Sequence, residues 1–385
     1  MDTNPTTQCS IRNIIAEHWG IFKLTHFSEL KLYQIEAIDK MLRCGDSSKG
    51  FFVYYCDDCD EHYTTHYRCN SRACNRCGRF YADEWAEKVG KKVFNKVHRH
   101  MTFTIPADLR SIFEDRRDLI KVMSDSVYAT IKRVMLKSAG QELIPALVSV
   151  IHPFGNDIKH HPHIHSLVAE GGLDYKKEWR DFTYFHHELL RKTWQDMLIT
   201  NIARIIAKEP CPLEKIHLLY SMYDKYPNGF VVDYGGDKKR IKSKKKVARY
   251  IGRYLRHLAI SNRRIRHYDG KNVTFWYEDK KHIKHYVTLA VEEFIRRLIQ
   301  HIPPKNFKMV RHYGLYNRKD VKKNRIKMKQ ETITDTIKRI NYSKHAIRCP
   351  KCRKWLEPIE YIPAYSDRGP PKREVFGEKL TNWIR

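Results

Sequence analysis

The sequence predicts an α+β protein with a mostly antiparallel sheet flanked by helices, and three observations lead to this prediction. Two pairs of short apolar runs, LVSVIHPF with HIHSLVAE and NVTFWYED with HYVTLAV, are each separated by a turn-rich segment, which is typical of hairpins. Between them lie long stretches with apolar residues at helical spacing. A cluster of cysteines near the N-terminus indicates a separate unit organised by metal.

The first hundred residues contain helices on both sides of the cysteines. The stretch SELKLYQIEAIDKMLRCG predicts a helix that is capped by Ser28 and ends at Gly45. After the cysteines, RFYADEWAEKVGKKVFNKV reads as a helix with an aromatic face. A strand follows over Met101–Ile105 and ends at Pro106, and a long helix should then run to about Lys137.

The remainder of the chain continues the mixture of helices and hairpins. After the LVSVIHPF–HIHSLVAE hairpin, residues 178–208 are predicted to be helical and residues 216–235 to form two strands around YPNGF. EEFIRRLIQHI is an amphipathic helix stopped by prolines. We expect an N-terminal zinc-binding domain over 1–95, a catalytic domain over 96–300 and a basic C-terminal region over 301–385.

The charge balance favours a nucleic-acid partner. Lysine and arginine number 73 against 44 acidic residues, a formal charge of +29, and aromatic residues make up 12% of the chain. Basic charge binds phosphate through counterion release, and aromatic rings stack on unpaired bases. A merely soluble basic protein is the alternative. No leader or membrane-length apolar run and no GxxxxGK[ST] loop is evident, so we expect a cytoplasmic protein with no membrane or nucleotide partner.

Two CxxC pairs, CDDC and CNRC, are separated by fourteen residues. This spacing is typical of a structural zinc site, because each pair turns two thiolates toward one point and four thiolates complete a tetrahedron. The predicted zinc ligands are Cys56, Cys59, Cys74 and Cys77. Cys69 or His66 could replace one of them or serve a second metal.

The other cysteines are harder to assign. Cys349 and Cys352 form one more CxxC pair, which would need two further ligands, and His345 is a candidate for one of them. Single cysteines are usually small buried apolar side chains, and we expect this of Cys9, Cys44 and Cys211.

The stretch HHPHIHSLV contains a candidate for a second kind of metal site. His163 and His165 are two apart on a predicted strand, so they face the same side roughly 7 Å apart. His152 lies near the same level on the preceding strand, and the three imidazoles could form an open site. Surface histidines on a solvated face are the alternative. A His-x-His pair is expected about once by chance in a chain this rich in histidine, and His98–His100 is interpreted in that way.

Two tyrosines lie on a basic helix in YIGRYLRH. Tyr250 and Tyr254 are four residues apart and share one helix face. Such pairs usually reflect half-buried packing, but the flanking arginines favour contact with phosphate. The arginines are Arg249, Arg253, Arg256, Arg263 and Arg264.

Taken in order, the zinc unit, the histidine strand and the basic tyrosine helix resemble the HUH single-strand nucleases. They are most similar to the two-tyrosine rolling-circle transposases of the IS91 type, which are relatives of the Helitron enzymes. The matching stretches include IHPFGNDIKHHPHIHSLVAEGGL, YIGRYLRHLAISNRRI, EEFIRRLIQHIPP and RHYG, within residues 50–315. The resemblance implies an HUH nuclease fold in which His163, His165 and His152 bind the metal. His161 competes for the third position.

The same resemblance implies that Tyr250 and Tyr254 are nucleophiles that cleave and rejoin single-stranded DNA through 5′-phosphotyrosine intermediates, with Mg²⁺ or Mn²⁺ as cofactor. Three imidazoles favour Mn²⁺ on chemical grounds, because Mg²⁺ prefers oxygen ligands. Conjugative relaxases place tyrosine before histidine and fit less well. Two alternatives stay open: a replication initiator with the same nicking chemistry, and a non-catalytic zinc-dependent nucleic-acid binder.

Overall fold

The computed structural model describes residues 10–66, 68–78, 81–82, 93–114, 116–235, 240–242, 246, 259–279, 281–317, 347–363 and 374–375. Helices and antiparallel sheets alternate in this part of the chain, which confirms the predicted α+β class. The described helices are α1 (Ile11–Thr25), α2 (Leu32–Leu42), α3 (Arg117–Ala139), α4 (His187–Ile206), α5 (Leu213–Lys225) and α6 (Val291–Ile299).

The strands fall into four sheets. They are β1 (Gly50–Cys56), β2 (Glu61–His66), β3 (His98–Thr104), β4 (Ile144–Phe154), β5 (His160–Leu173), β6 (Trp179–Asp181), β7 (Val232–Asp233), β8 (Arg240–Ile241), β9 (Ile265–Tyr268), β10 (Asn272–Glu278), β11 (Lys284–Ala290), β12 (Val310–Gly314), β13 (Ile347–Arg348), β14 (Trp355–Leu356), β15 (Pro358–Pro363) and β16 (Glu374–Val375).

The central sheet has the order β12-β4-β5-β3-β7, with β6 beside β5 and β8 beside β3. Its longest pairing is the predicted hairpin β4–β5, in which successive side chains alternate between the two faces. Helices α3 and α4 cover one face, where Phe103, Ile151, Ile164 and Trp194 are fully buried. The odd-numbered residues of β5 up to Ala169 therefore have their side chains on the opposite face, away from these two helices.

A second core joins the N-terminal helices to the sheet β11-β10-β9 and to α6. Ile14 and Ile15 of α1 pack there with Phe275 of β10 and Phe294 of α6. Helix α1 begins after Ser10, whose hydroxyl accepts a hydrogen bond from the amide of Asn13. The second core therefore contains residues of both predicted ranges, 1–95 and 96–300, beside the core that the central sheet forms within 96–300.

The third sheet, β16-β15-β1-β2, combines strands from both ends of the chain. Strand β15 pairs with β1 from Gly50↔Pro363 to Tyr54↔Pro358, and the small β13–β14 sheet packs beside them. Residues of the predicted range 301–385 thus pack on residues of the range 1–95. Within the described part of the chain, every helix is too short or too polar to span a bilayer.

The structure corrects three local predictions. Residues 178–208 are not helical throughout, because Trp179–Asp181 forms β6 and α4 begins at His187. Residues 216–235 are not two strands, because Leu213–Lys225 forms α5 and only Val232–Asp233 is extended. Ile216, Leu219 and Met222 repeat every three residues and pack on the core beside α4, a helical period that the sequence reading missed. Helix α2 begins after Lys31, not at Ser28.

Candidate metal centres

The β4–β5 hairpin brings the three predicted metal-binding histidines together. His152 of β4 lies directly opposite His163 of β5 in the antiparallel register. His165 lies two residues further along β5, on the same face as His163. This is the face turned away from α3 and α4, and all three side chains are half-buried.

Their ring nitrogens converge on one point. The Nε2 atom of His163 lies 3.2 Å from Nδ1 of His152 and 3.1 Å from Nε2 of His165. One imidazole nitrogen carries a single proton or a single lone pair, so ordinary hydrogen bonds do not account for both contacts. Adjacent ligands of an octahedral ion with bonds of roughly 2.1 Å are about 3 Å apart. The spacing therefore fits three imidazoles that share one cation.

The protonation of His163 suits a metal ligand. Its Nδ1–H donates to the carbonyl of His161 at 2.8 Å, which leaves Nε2 with a lone pair. Burial lowers the pKa of His163, and the positive charge of Arg110 lowers it further, so the ring is neutral at neutral pH. Burial and Arg110 likewise bring the pKa of His161 to about 4, but the ring of His161 is not part of the converging group.

Two neighbours of the site were missed in the sequence. Nε2 of His100 lies 3.0 Å from Nδ1 of His165, and the two rings are stacked with centroids 5.2 Å apart. Thr102 Oγ1 lies 3.2 Å from the same Nδ1. Both residues belong to β3, in which Thr102 is the register partner of His165. The interpretation of His98–His100 as a chance pair overlooked this, since only the pairing of β3 with β5 reveals it.

The tip of the hairpin is held from outside the central sheet. Ile158 is completely buried in the second core, and its φ of 59° is rare for a β-branched residue. Nε2 of His301 lies 2.8 Å from the carbonyl oxygen of Ile158. The Asn156 amide donates to the carbonyl of Glu278 at 2.9 Å, and Arg264 donates to the carbonyl of Asn156. These contacts fix the loop from which both histidine-bearing strands extend.

The predicted four-cysteine zinc ligands do not lie together, because they fall into two separate clusters. Cys74 and Cys77 join Cys44 and Cys69, whereas Cys56 and Cys59 join residues near the C-terminus. The physical reason is the length of β2, whose six residues carry the chain roughly 20 Å away from Cys59 at about 3.3 Å per residue. The single cluster of four cysteines expected from the sequence is replaced by two clusters.

The first cluster consists of Cys44, Cys69, Cys74 and Cys77, which are all buried. Cys77 Sγ lies 3.6 Å from the sulfurs of both Cys44 and Cys69. The cluster is part of the second core, against α1, α2 and α6. Cys44 is therefore a candidate ligand and not the isolated apolar side chain that we expected.

The predictions for the remaining cysteines and histidines have different outcomes. Cys211 is exposed, contrary to the expectation of burial. His66 belongs to neither cysteine cluster among the described residues. Cys9 and His345 lie outside the described residues.

Comparison with known proteins identifies the family. A family model described as "Putative transposase" matches residues 147–325, and one described as "Transposase zinc-binding domain", of the IS91 type, matches residues 14–105. The transposase of insertion sequence element IS801 from Pseudomonas savastanoi pv. phaseolicola is 30% identical over 306 residues, covering 74% of this chain and 70% of that protein. The chain belongs to the IS91-type transposases.

A second relative supports the same family. "Putative transposase y4qJ" of Sinorhizobium fredii is 24% identical over 333 residues, which cover 79% of each chain. No solved structure matches the chain at a significant level. Membership of a transposase family implies that the substrate is DNA, and the histidine hairpin lies inside the transposase match.

The zinc-binding match of this transposase accounts for part of the cysteine arrangement. All four residues of the first cluster lie within residues 14–105, as do Cys56 and Cys59. The family match and the clustered thiols together support structural Zn²⁺. The two cysteines near the C-terminus lie outside both family matches.

The predicted nucleophiles and most of the predicted arginines lie outside the described residues, namely Tyr250, Tyr254, Arg249, Arg253 and Arg256. Of the two that are described, Arg263 is exposed. Arg264 is half-buried, and its guanidinium donates to the carbonyls of Trp276, at 2.6 Å, and Asn156. Arg264 therefore holds the hairpin loop in place, a structural role that the sequence did not suggest.

Proposed function

We propose that this transposase cleaves and rejoins single-stranded DNA through 5′-phosphotyrosine intermediates, with Tyr250 and Tyr254 as the nucleophiles. The observation that carries the proposal is the convergence of the His152, His163 and His165 ring nitrogens on one point within the transposase match. A cation site on the open side of an antiparallel sheet, in a protein that acts on DNA, is suited to holding a phosphodiester.

The three histidines would hold Mn²⁺ or Mg²⁺, and neutral imidazoles favour Mn²⁺ of the two. When bound, the ion polarises the scissile phosphate and orients it. Burial keeps His163 neutral, and its Nδ1–H hydrogen bond to the His161 carbonyl leaves the Nε2 lone pair for the ion. Arg110 contributes positive charge near the histidines, and this charge lowers the pKa of both His161 and His163.

The tyrosines act as nucleophiles in the covalent step. The hydroxyl oxygen of Tyr250 or Tyr254 attacks phosphorus and loses its proton, while the bond from phosphorus to the 3′ oxygen breaks and that oxygen leaves as a hydroxyl. The phosphate on the 5′ side stays esterified to tyrosine, so the later transfer to another 3′ hydroxyl needs no ATP. A tyrosine pKa near 10 requires help at neutral pH, which nearby cations provide by stabilising the phenolate.

The chain length between described segments permits this arrangement. Strand β8 pairs with β3, and β3 carries His100 and Thr102 beside the histidine site. Tyr250 is nine residues after Ile241, the last residue of β8. Nine residues reach at most about 30 Å when extended. The predicted nucleophiles therefore follow directly from the edge of the sheet that holds the metal ligands.

The test is a denaturing gel of labelled single-stranded oligonucleotides from the element ends. Tyr250→Phe/Tyr254→Phe should bind the oligonucleotide but form no covalent band. Each single variant should retain some nicking, because the other hydroxyl is about one helical turn away, but should be defective in strand transfer. Tyr268→Phe is the matched control, since the Tyr268 hydroxyl contacts His18 in the second core. A covalent band that persists in the double variant contradicts the assignment.

The same assay separates the alternatives. Cleavage at both element ends supports transposition by this chemistry, whereas cleavage at a single origin sequence supports a replication initiator. Binding without any covalent adduct, in the presence of Mn²⁺ and with every oligonucleotide tested, supports a non-catalytic zinc-dependent binder.

A further inference from the structure

Two CxxC pairs from opposite ends of the chain meet in the third sheet. Cys56 ends β1 and Cys59 lies in the turn that follows, while Cys349 and Cys352 lie in the turn between β13 and β14. The Sγ atoms of Cys56 and Cys352 are 3.6 Å apart, and those of Cys59 and Cys349 are 3.8 Å apart. All four sulfurs lie within 4.8 Å of one another.

These distances fit a metal and not disulfides. A disulfide has a sulfur–sulfur length of about 2.05 Å. In a tetrahedron with Zn–S bonds of about 2.3 Å, the sulfurs are about 3.8 Å apart. The observed separations of 3.6 and 3.8 Å agree with the tetrahedral edge.

The two turns have the same local construction. In each, the residue directly after the second cysteine has a positive φ, 52° for Asp60 and 67° for Arg353. A left-handed residue at this point lets the chain reverse after presenting both thiols. The amide of Arg353 also donates to the carbonyl of Cys349 at 3.0 Å, which closes the C-terminal turn.

Ion pairs and burial also join the two turns at this cluster. Lys354 pairs with Asp58 at 2.8 Å, and Lys351 pairs with Glu61. Cys56 and Cys349 are completely buried beside Tyr54, where thiols without hydrogen-bond or metal partners would be poorly solvated.

We infer that Cys56, Cys59, Cys349 and Cys352 bind a second structural zinc ion, which fastens the C-terminal segment 347–363 to β1. Neither family match assigns this site, since one ends at residue 105 and the other at residue 325. The ion joins residues almost 300 positions apart in the chain. Closing a loop of this length restricts the unfolded chain, and it keeps β15 paired along the edge of β1. The inference does not depend on the proposed nuclease chemistry.

The first experiment measures zinc in the purified full-length chain. We expect two cysteine-bound zinc ions per chain. The Cys349→Ser/Cys352→Ser variant should therefore contain one zinc ion fewer than the unaltered chain, and Cys211→Ser, which changes an exposed cysteine outside both clusters, should contain the same number. Equal zinc contents in the double variant and the unaltered chain, or a single ion in the unaltered chain, overturn the inference.

The second experiment needs no variant and therefore does not depend on a variant folding. Cys352 and Cys211 are both exposed, so an alkylating reagent reaches both. Mass spectrometry should find Cys211 modified at once, while Cys352 stays unmodified until a zinc chelator is added, because a metal-bound thiolate is masked. Equal reaction of the two cysteines before chelation refutes the second zinc site, whatever the outcome of the DNA-cleavage assays.

Discussion

Replacing His100 tests whether the histidine site is a metal centre with a supporting residue behind it. For His165 to bind a cation through Nε2, its Nδ1 must carry the proton. Nε2 of His100, 3.0 Å away, is placed to accept that hydrogen bond. His100→Phe keeps a ring stacked on His165 and removes the acceptor, so it isolates the hydrogen bond from the packing.

The expected loss of metal affinity depends on which hydrogen-bond acceptors remain near Nδ1 of His165 after the substitution. Losing a partner that orients a metal-binding histidine typically weakens metal affinity by about 10–100-fold. Thr102 Oγ1 lies 3.2 Å from the same Nδ1 and still accepts the hydrogen bond. We therefore expect His100→Phe to weaken affinity by about 10-fold, or about 1.4 kcal/mol, and His100→Phe/Thr102→Val to approach about 100-fold.

The assay is a Mn²⁺ titration of single-strand nicking. The midpoint should move to higher Mn²⁺ for His100→Phe, and the rate at saturating Mn²⁺ should be nearly restored. His161→Asn is the control, because the His161 ring is outside the converging group, and its midpoint should not move. An unchanged midpoint for His100→Phe, or a loss that Mn²⁺ does not restore, would refute the supporting role.

Three further predictions concern the metal sites and the buried histidines. His163→Ala should abolish nicking with little change in melting temperature, and His152→Ala should weaken Mn²⁺ affinity about 10–100-fold. Full activity of His163→Ala, or an unchanged Mn²⁺ midpoint for His152→Ala, would contradict the site. Cys74→Ser should lower the melting temperature, measured by circular dichroism, since zinc binding supplies folding energy to the second core. Burial lowers the pKa of His98 and His301 from 6.5 to about 4. Between pH 4 and pH 6.5 the unfolded state therefore binds more protons than the folded state. The free energy of unfolding should fall by about 3 kcal/mol per histidine as pH drops from about 6.5 to about 4, and a flat urea midpoint over this range would refute it.

The histidine site could be predicted because its information is local. Strand periodicity places His163 and His165 on one face, and a short hairpin brings the preceding strand alongside. His152 was therefore identified from the predicted hairpin pairing, and the register places it opposite His163. His100 could not be identified, because β3 is separated from β5 by more than fifty residues and nothing local encodes their register.

The cysteine pairing could not be predicted, because CxxC spacing specifies how two thiols are presented and not which other pair they meet. The fourteen-residue separation of CDDC and CNRC suits one zinc site, yet β2 separates them and each pair finds distant partners. Cys44 was overlooked since it stands alone at the end of a helix. The misassigned α5 has a different cause: aromatic residues near a YPNG turn suggested strands, and the apolar spacing of three was not weighed.

The positions of the histidines depend on more than the central sheet. The β4–β5 loop inserts Ile158 into the core that contains the first cysteine cluster, and His301 and Arg264 contact backbone carbonyls of the same loop. A left-handed isoleucine persists only where the surrounding packing holds it. That core also contains residues of α1 and α2, so the N-terminal helices and the tip of the hairpin that carries His152 and His163 are buried together. The candidate metal ligands therefore lie near the end of a hairpin whose tip is held by packing in this core and by contacts with His301 and Arg264.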